Sequence, residues 1–335
     1  MLRLGVLDQS PVRSGGNPAD AIRETLALAQ ATDRLGYYRY WLAEHHSTPA
    51  LAGPSPEVLI PQVAAITSGI RVGSGGVMLQ HYSALKVAES FRVLETLYPG
   101  RIDLGIGRAP GSDQMTARVL GGGPSGVEDF PRKLSDLLGF LHDDLPAEHP
   151  YAGIVAMPTG PSAPEVWLLG SSDQSAILAA HFGAGFSFAH FINADGGAEV
   201  TRAYTQSFKP SAAMAEPHAS AAVFVVCAPT ESEAICLAQS RDLFITRLYT
   251  GRLSRYPTVA EAEAYEYSPR EWMIVEQARR RRVVGTPEQC RERLEALARD
   301  YGVDELVIVT ITETWETRVR SYDLLAQAFE LTPRS

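Results

Sequence analysis

The sequence predicts one closed (β/α)8 (TIM) barrel, an α/β fold, and three observations carry that expectation. The chain has 335 residues, room for one such barrel, which typically takes about 250 residues plus insertions. From the N-terminus, short apolar β-branched runs alternate with helical patterns at a period of about 30–35 residues, the rhythm of repeated strand–helix units. Followed to the C-terminus the runs number eight, which suits a closed ring better than a doubly wound sheet. The whole chain, 1–335, reads as a single domain.

Composition narrows the class. Hydrophobic residues make up 45% of the chain, enough for a large core. A formal charge of -9 argues against a nucleic-acid footprint or a polybasic membrane anchor. Cys227, Cys236 and Cys290 are odd in number and contain no Cys-x-x-Cys pair. Neither a disulfide framework nor a zinc knuckle is expected, and a reducing, cytoplasmic compartment is. No run approaches the roughly 18 apolar residues of a membrane span, and the N-terminus lacks a signal peptide's apolar core.

The elements follow in order. Strand one is 2–7, with the loop 8–12 at its carboxyl end. Asn17 or Asp20 starts a helix lined by Ala21, Thr25, Leu28, Ala29 and Leu35, with Gly36 past its end. Strand two, 38–43, closes with Glu44, His45 and His46, and 56–68 are helical. Strand three, 70–79, organises the rest. Gly75 and Gly76 strip side chains from its carboxyl end, at roughly 0.5–1 kcal/mol each, so something there needs the room. Ser83 caps a helix on which Ala84, Val87, Ala88, Phe91 and Leu94 share a face, and Tyr98-Pro99-Gly100 stops it. Strand four, 102–106, runs into Gly107 and Arg108.

The rhythm then breaks. Residues 109–163 hold a helix at 127–141 and a Pro/Gly-rich loop, an insertion over the barrel mouth. Strand five, 165–169, ends in Gly170, Ser171 and Ser172 ahead of an Ala-rich helix reaching Ala180. Strand six is 185–189 and strand seven 221–227, and the charged, Tyr-rich stretch 249–282 is a second insertion. Thr286, Pro287 and Glu288 open a helix that ends at Gly302, before strand eight at 305–311.

Several side chains gather at the carboxyl ends of these strands. His45 and His46 are adjacent, so a regular strand would point them to opposite faces and no third ligand set stands out. A metal site is not expected; one histidine facing the mouth as acid, base or hydrogen-bond donor competes with a purely structural histidine. Gly105, Gly107 and Gly111 are one residue too widely spaced for a dinucleotide fingerprint, and Pro110 falls where its helix should open. Arg108 suits a phosphate bidentately, its alternative being a surface ion pair. Ser171, Ser172 and Ser175 present hydroxyls and free N–H groups at a helix start, so one phosphate site built from both loops is expected. The basic run 279–282 reads first as a solvated face and second as part of the mouth.

Ordered motifs then point to a family. Glu44-His45-His46, 72–79 (VGSGGVML), 81–89 (HYSALKVAE), 99–108 (PGRIDLGIGR) and 284–288 (VGTPE) resemble the bacterial luciferase-like flavin-dependent oxidoreductases. The likeness is dense over 1–111, good again over 165–190 and 282–312, and weak across both insertions. It implies a barrel, a homodimer and FMN bound across the mouth. It implies a cis peptide between Gly75 and Gly76 against the flavin ring, with Val77 beside it. It places Arg108, Ser172 and Ser175, with Ser171 adjacent, at the flavin phosphate and His45 at the active-site histidine. Gln80 stands where close relatives carry proline, and 145–164 matches nothing in the pattern.

The resemblance implies a two-component monooxygenase. A separate flavin reductase would supply reduced FMN (FMNH2), O2 would form a peroxyflavin, and one oxygen atom would pass to a hydrophobic organic substrate, as in a tailoring step of secondary metabolism. Tyr82, Phe188, Phe191 and Trp272 are aromatic candidates for that pocket, core packing being the commoner role of such residues. Two alternatives stand beside it, a deazaflavin-dependent dehydrogenase or reductase and a non-catalytic flavin carrier.

Overall fold

A computed structural model describes residues 2–121 and 129–334. Nine parallel strands are present among them: β1 (Arg3–Asp8), β2 (Arg39–Leu42), β3 (Arg71–Met78), β4 (Ile102–Gly107), β5 (Glu165–Gly170), β6 (Gly185–Ala189), β7 (Ala219–Cys227), β8 (Arg282–Gly285) and β9 (Glu305–Val309). Strands β1 to β7 pair in sequence and β9 pairs with both β7 and β1, so eight strands close a (β/α)8 barrel. The ninth, β8, lies outside the ring. It pairs with the carboxyl half of β7, Phe224 to Cys227, beyond Ala222, where the pairing of β7 with β6 ends. The sequence reading ended the second insertion at 282 and assigned no strand to 282–285, because four residues give too short a run to register a period.

The helices are α1 (Pro18–Arg34), α2 (Pro56–Ala65), α3 (Ala84–Leu97), α4 (Gln114–Val119), α5 (Phe130–His142), α6 (Asp173–Phe182), α7 (Gly197–Ser207), α8 (Glu231–Tyr249), α9 (Val259–Glu263), α10 (Pro269–Arg279), α11 (Pro287–Tyr301) and α12 (Trp315–Ala328). Local chemistry sets several ends. The Asn17 side chain accepts from the Asp20 N–H with proline at the first helical position, which settles where α1 begins. Thr286 and Gln289 form a reciprocal capping box for α11, and Gly302 closes it at φ +67. Ser83 holds the N-cap position of α3, but its side chain makes no capping bond. Within the first insertion the helix begins at Phe130, and the expected 127–129 start falls partly on residues outside those described. Helices α7, α8 and α12 were not expected at all.

Two apolar layers hold the barrel. Outward-facing residues such as Leu4, Val6, Tyr40, Val72 and Leu104 pack against the helices. Leu7, Trp41, Trp167, Ala222, Phe224, Val307 and Val309 fill the inside. The amino-terminal floor is closed by charge. Arg39, fully buried, meets Asp103 at 2.7 Å and Glu305 at 3.2 Å. Its guanidinium also sits 4.5 Å from the Trp167 ring and 5.0 Å from that of Trp41. Arg71 also pairs with Asp103, and His218 lies 3.4 Å from both Glu165 and Glu305. With the floor plugged, the carboxyl end is the open one, as in barrel enzymes generally.

Candidate active site at the barrel mouth

The mouth is built where β2, β3, β4 and β5 end. Pairing of β3 with β4 slips between Ser74 and Val77, so Gly75 and Gly76 together oppose Gly105 as a bulge. A Cβ on Gly75 would lie 2.6 Å from Leu7 Cδ1, inside the barrel, and one on Gly76 would lie 2.7 Å from the Gly105 carbonyl oxygen. Both positions therefore exclude a side chain, and the bond joining them is cis. Val77 turns the other way. Its side chain is 3% exposed in the layer between barrel and helices, which leaves only its main chain to face a ligand.

Glu44 is the hub of this corner, and its role was not foreseen. The carboxylate is fully buried. One oxygen accepts from the Met78 N–H at 3.0 Å; the other accepts from the Tyr82 hydroxyl at 2.8 Å and lies 2.7 Å from His46 Nε2. A buried carboxylate with three donors is well satisfied and ties β2, the end of β3 and the start of α3 together. The signal was present in the sequence, since Glu44 precedes the two histidines, but attention to metal or proton chemistry favoured its neighbours. Burial and the Glu44 carboxylate push the Tyr82 phenol well above its usual range. Two further N–H bonds, His45 to Gly53 O at 3.0 Å and His46 to Gly111 O at 2.9 Å, fix the segment that carries both rings.

His45 differs from His46. Its Nδ1 is shielded from solvent and has no partner among the described residues. Burial, helped by the nearby His46, lowers it to about 4. It is therefore a neutral imidazole at pH 7, suited to giving or accepting a hydrogen bond and poorly suited to holding a proton. Gln80 is 5% exposed with its Nε2 unpaired, while its carbonyl accepts from Lys133 of α5 at 2.9 Å.

The anion-binding candidates also converge. Gly107 of β4 lies in register with Leu169 of β5, which sets Arg108 beside residues 170–175. Arg108 is half-buried and donates to Gln174 Oε1 at 3.2 Å. Ser172 is the N-cap of α6 without using its hydroxyl for capping. Ser175 is 5% exposed and packs under Gly170, where a Cβ would sit 2.7 Å from that of the serine. The Ser171 carbonyl accepts from Asn193 Nδ2 at 3.3 Å. A guanidinium, an uncapped helix start and spare hydroxyls make a chemically suitable phosphate cradle. With the side-chain-free bulge next to it, the site fits an FMN ring and its phosphate.

The remaining candidates fall elsewhere. Phe188 is 1% exposed in the outer layer, Phe191 packs on the inner cluster, and Trp272 is 42% exposed on α10. Within the basic run, Arg279 and Arg282 are bound to Asp242. No group of three potential metal ligands occurs among the described residues.

The sequence profile of luciferase-like monooxygenases matches residues 2–305. The chain belongs to the luciferase-like monooxygenase family. YwcH, an uncharacterized protein of Bacillus subtilis (strain 168), is 49% identical over 331 residues, covering 98% of this chain and 99% of that one. An N-acetyl-S-alkylcysteine monooxygenase of the same organism is 40% identical over 332 residues, covering 98% of both. The crystal structure of apo-MsnO8 superposes with a TM-score of 0.91 at 40% identity, covering 99% of each chain. No helix among the described residues is long and apolar enough to cross a membrane.

Proposed function

We propose that this enzyme is an FMN-dependent monooxygenase that receives reduced FMN from a separate flavin reductase and inserts one oxygen atom of O2 into an organic substrate. The observation that carries the reading is the pairing of the Gly75–Gly76 bulge with the Arg108, Ser172 and Ser175 cradle on adjacent strand ends. Reduced FMN supplies the electrons that activate oxygen. The protein binds and orients: the cradle holds the phosphate, and the bulge and the Val77 main chain lie along the ring. His45 offers an uncharged hydrogen-bonding group close to the reacting atoms. The buried Glu44 holds Met78 and His46 in place around it. The family relation, and a relative that acts on N-acetyl-S-alkylcysteines, support an oxygenation of a modest-sized organic molecule. A homodimer in the cytoplasm completes the reading.

Anaerobic titration with reduced FMN, reduced riboflavin and a reduced deazaflavin tests it. Tightest binding of reduced FMN, with no reduction of bound FMN by NADH or NADPH alone, is expected. Preference for the deazaflavin would move the enzyme to hydride transfer.

A further inference from the structure

Two positive charges at the mouth are not used by the flavin site. Arg241 on α8 is 8% exposed, and Arg281, just past α10, is 9% exposed. A buried guanidinium without a counter-charge is strongly unfavourable in a folded protein. The adjacent Asp242 neutralises neither, because its two oxygens accept from Arg279 at 2.8 Å and Arg282 at 2.7 Å. Arg281 donates to the Ile192 and Gln277 carbonyls and approaches the Tyr249 hydroxyl at 3.4 Å. Arg241 has no hydrogen bond and no ion pair among the described residues. Its guanidinium carbon lies 4.5 Å from the Phe224 ring and 5.5 Å from that of Phe244.

Burial lowers Arg241 to about 10; the Tyr256 phenol opposes that shift, and the like charges of Arg282 and Arg281 add to it. Phe224 points into the barrel from β7 and Ile192 follows β6, so both guanidiniums belong to the β6–β7 side of the mouth. The phosphate cradle lies on the β4–β5 side.

We propose that Arg241, supported by Arg281, anchors the carboxylate of an organic-acid substrate at the β6–β7 side of the mouth. The substrate is then an anion, not a neutral hydrocarbon. This rests on reading the mouth as a monooxygenase site, but binding is measured without oxygen, so failure of either shows separately.

The experiment titrates wild type, R241M and R241K calorimetrically with phenylacetate and its uncharged counterpart phenylacetamide, with FMN and riboflavin in parallel. Phenylacetate should bind wild type at least about tenfold more tightly than the amide, less so as salt rises. R241M should erase that difference, keep the preference for FMN over riboflavin, and melt no lower than wild type, because an uncompensated charge is gone. R241K should fall between. Equal binding of acid and amide to wild type, or no binding of either, overturns the proposal. So does loss of FMN preference with phenylacetate binding intact, which would assign Arg241 to the flavin phosphate. If R241M does not fold, R241K and the wild-type salt dependence decide.

Discussion

Replacing Glu44 by Gln keeps the shape of the hub and changes one acceptor into a donor. The three incoming bonds arrive on two oxygens, Met78 N–H on one and the Tyr82 hydroxyl with His46 on the other. An amide can keep its oxygen toward Tyr82 and His46, and its NH2 then faces the Met78 N–H, donor to donor. Hydrogen bonds to a charged group contribute about 1.5–3 kcal/mol each, and an orphaned buried donor costs about 1–3 kcal/mol. E44Q should therefore lose about 2–4 kcal/mol, and E44A, which strands three donors at a fully buried site, at least about 3 kcal/mol. Urea unfolding reads the difference directly, since the surface exposed on unfolding is unchanged and the midpoint alone should move. Because Met78 follows the glycine bulge, E44Q should also weaken FMN binding, and Y82F should do so less. An E44Q variant within about 0.5 kcal/mol of wild type, the ordinary range of surface substitutions, would refute the role given to Glu44.

Other outcomes follow from the same geometry. R108M should weaken FMN binding by roughly 10–100-fold while leaving riboflavin nearly untouched, the loss of one charge-assisted contact. Fluorescence titration with both flavins measures it, and equal losses for the two would contradict a phosphate contact. His45 carries a pKa lowered to about 4 by burial, so the folded state resists a proton that the unfolded chain binds below pH 6.5. Stability attributable to it is present above pH 6.5 and is lost as pH falls toward 4, by at most about 3 kcal/mol. H45Q should flatten that slope in melting curves taken across this window. At the floor, burial opposes the charge on Glu165 and His218, but their mutual hydrogen bond and Arg39 bring Glu165 down to about 2, and Glu165 with Glu305 raises His218. The Glu165 contribution should persist above its unfolded pKa and fade as pH falls toward 2. That of His218 should fade as pH rises above 6.5. R39M, which leaves Asp103 and Glu305 short of a partner, should destabilise by about 3–5 kcal/mol without a specific effect on flavin affinity.

Much of this molecule was legible before its structure. Strand positions β1 to β7 and β9 stand within a few residues of expectation, because parallel strands buried on both faces read as short apolar runs. Val6 and Leu7, or Val72 and the glycines after it, show that pattern plainly. Helix α8 was missed for a physical reason. Ala234, Leu237 and Ala238 face the core, but Ser240, Arg241 and Asp242 are buried beside them, and buried polar residues break the apolar period. The floor network escaped for the same reason. Arg39, Asp103 and Glu305 look like ordinary strand-end charges until the ring closes and brings them together. The strand-end position of Arg108 and the helix start near Ser172 were readable because both are local. Glu44 was not, because its meaning depends on Tyr82 and Met78, more than thirty residues away. Val77 was expected beside the flavin with the glycines; past the bulge its side chain packs outward against the helices, a direction the sequence does not show.

The most direct measurement mixes anaerobic protein and reduced FMN with oxygenated buffer and follows the return of the oxidised flavin's visible absorbance. An oxygenating site that binds FMN through Arg108 and the glycine bulge predicts stoichiometric binding and reoxidation delayed relative to free FMN, with both features weakened in R108M. Reoxidation at the rate of free flavin, in wild type and R108M alike, would contradict the account.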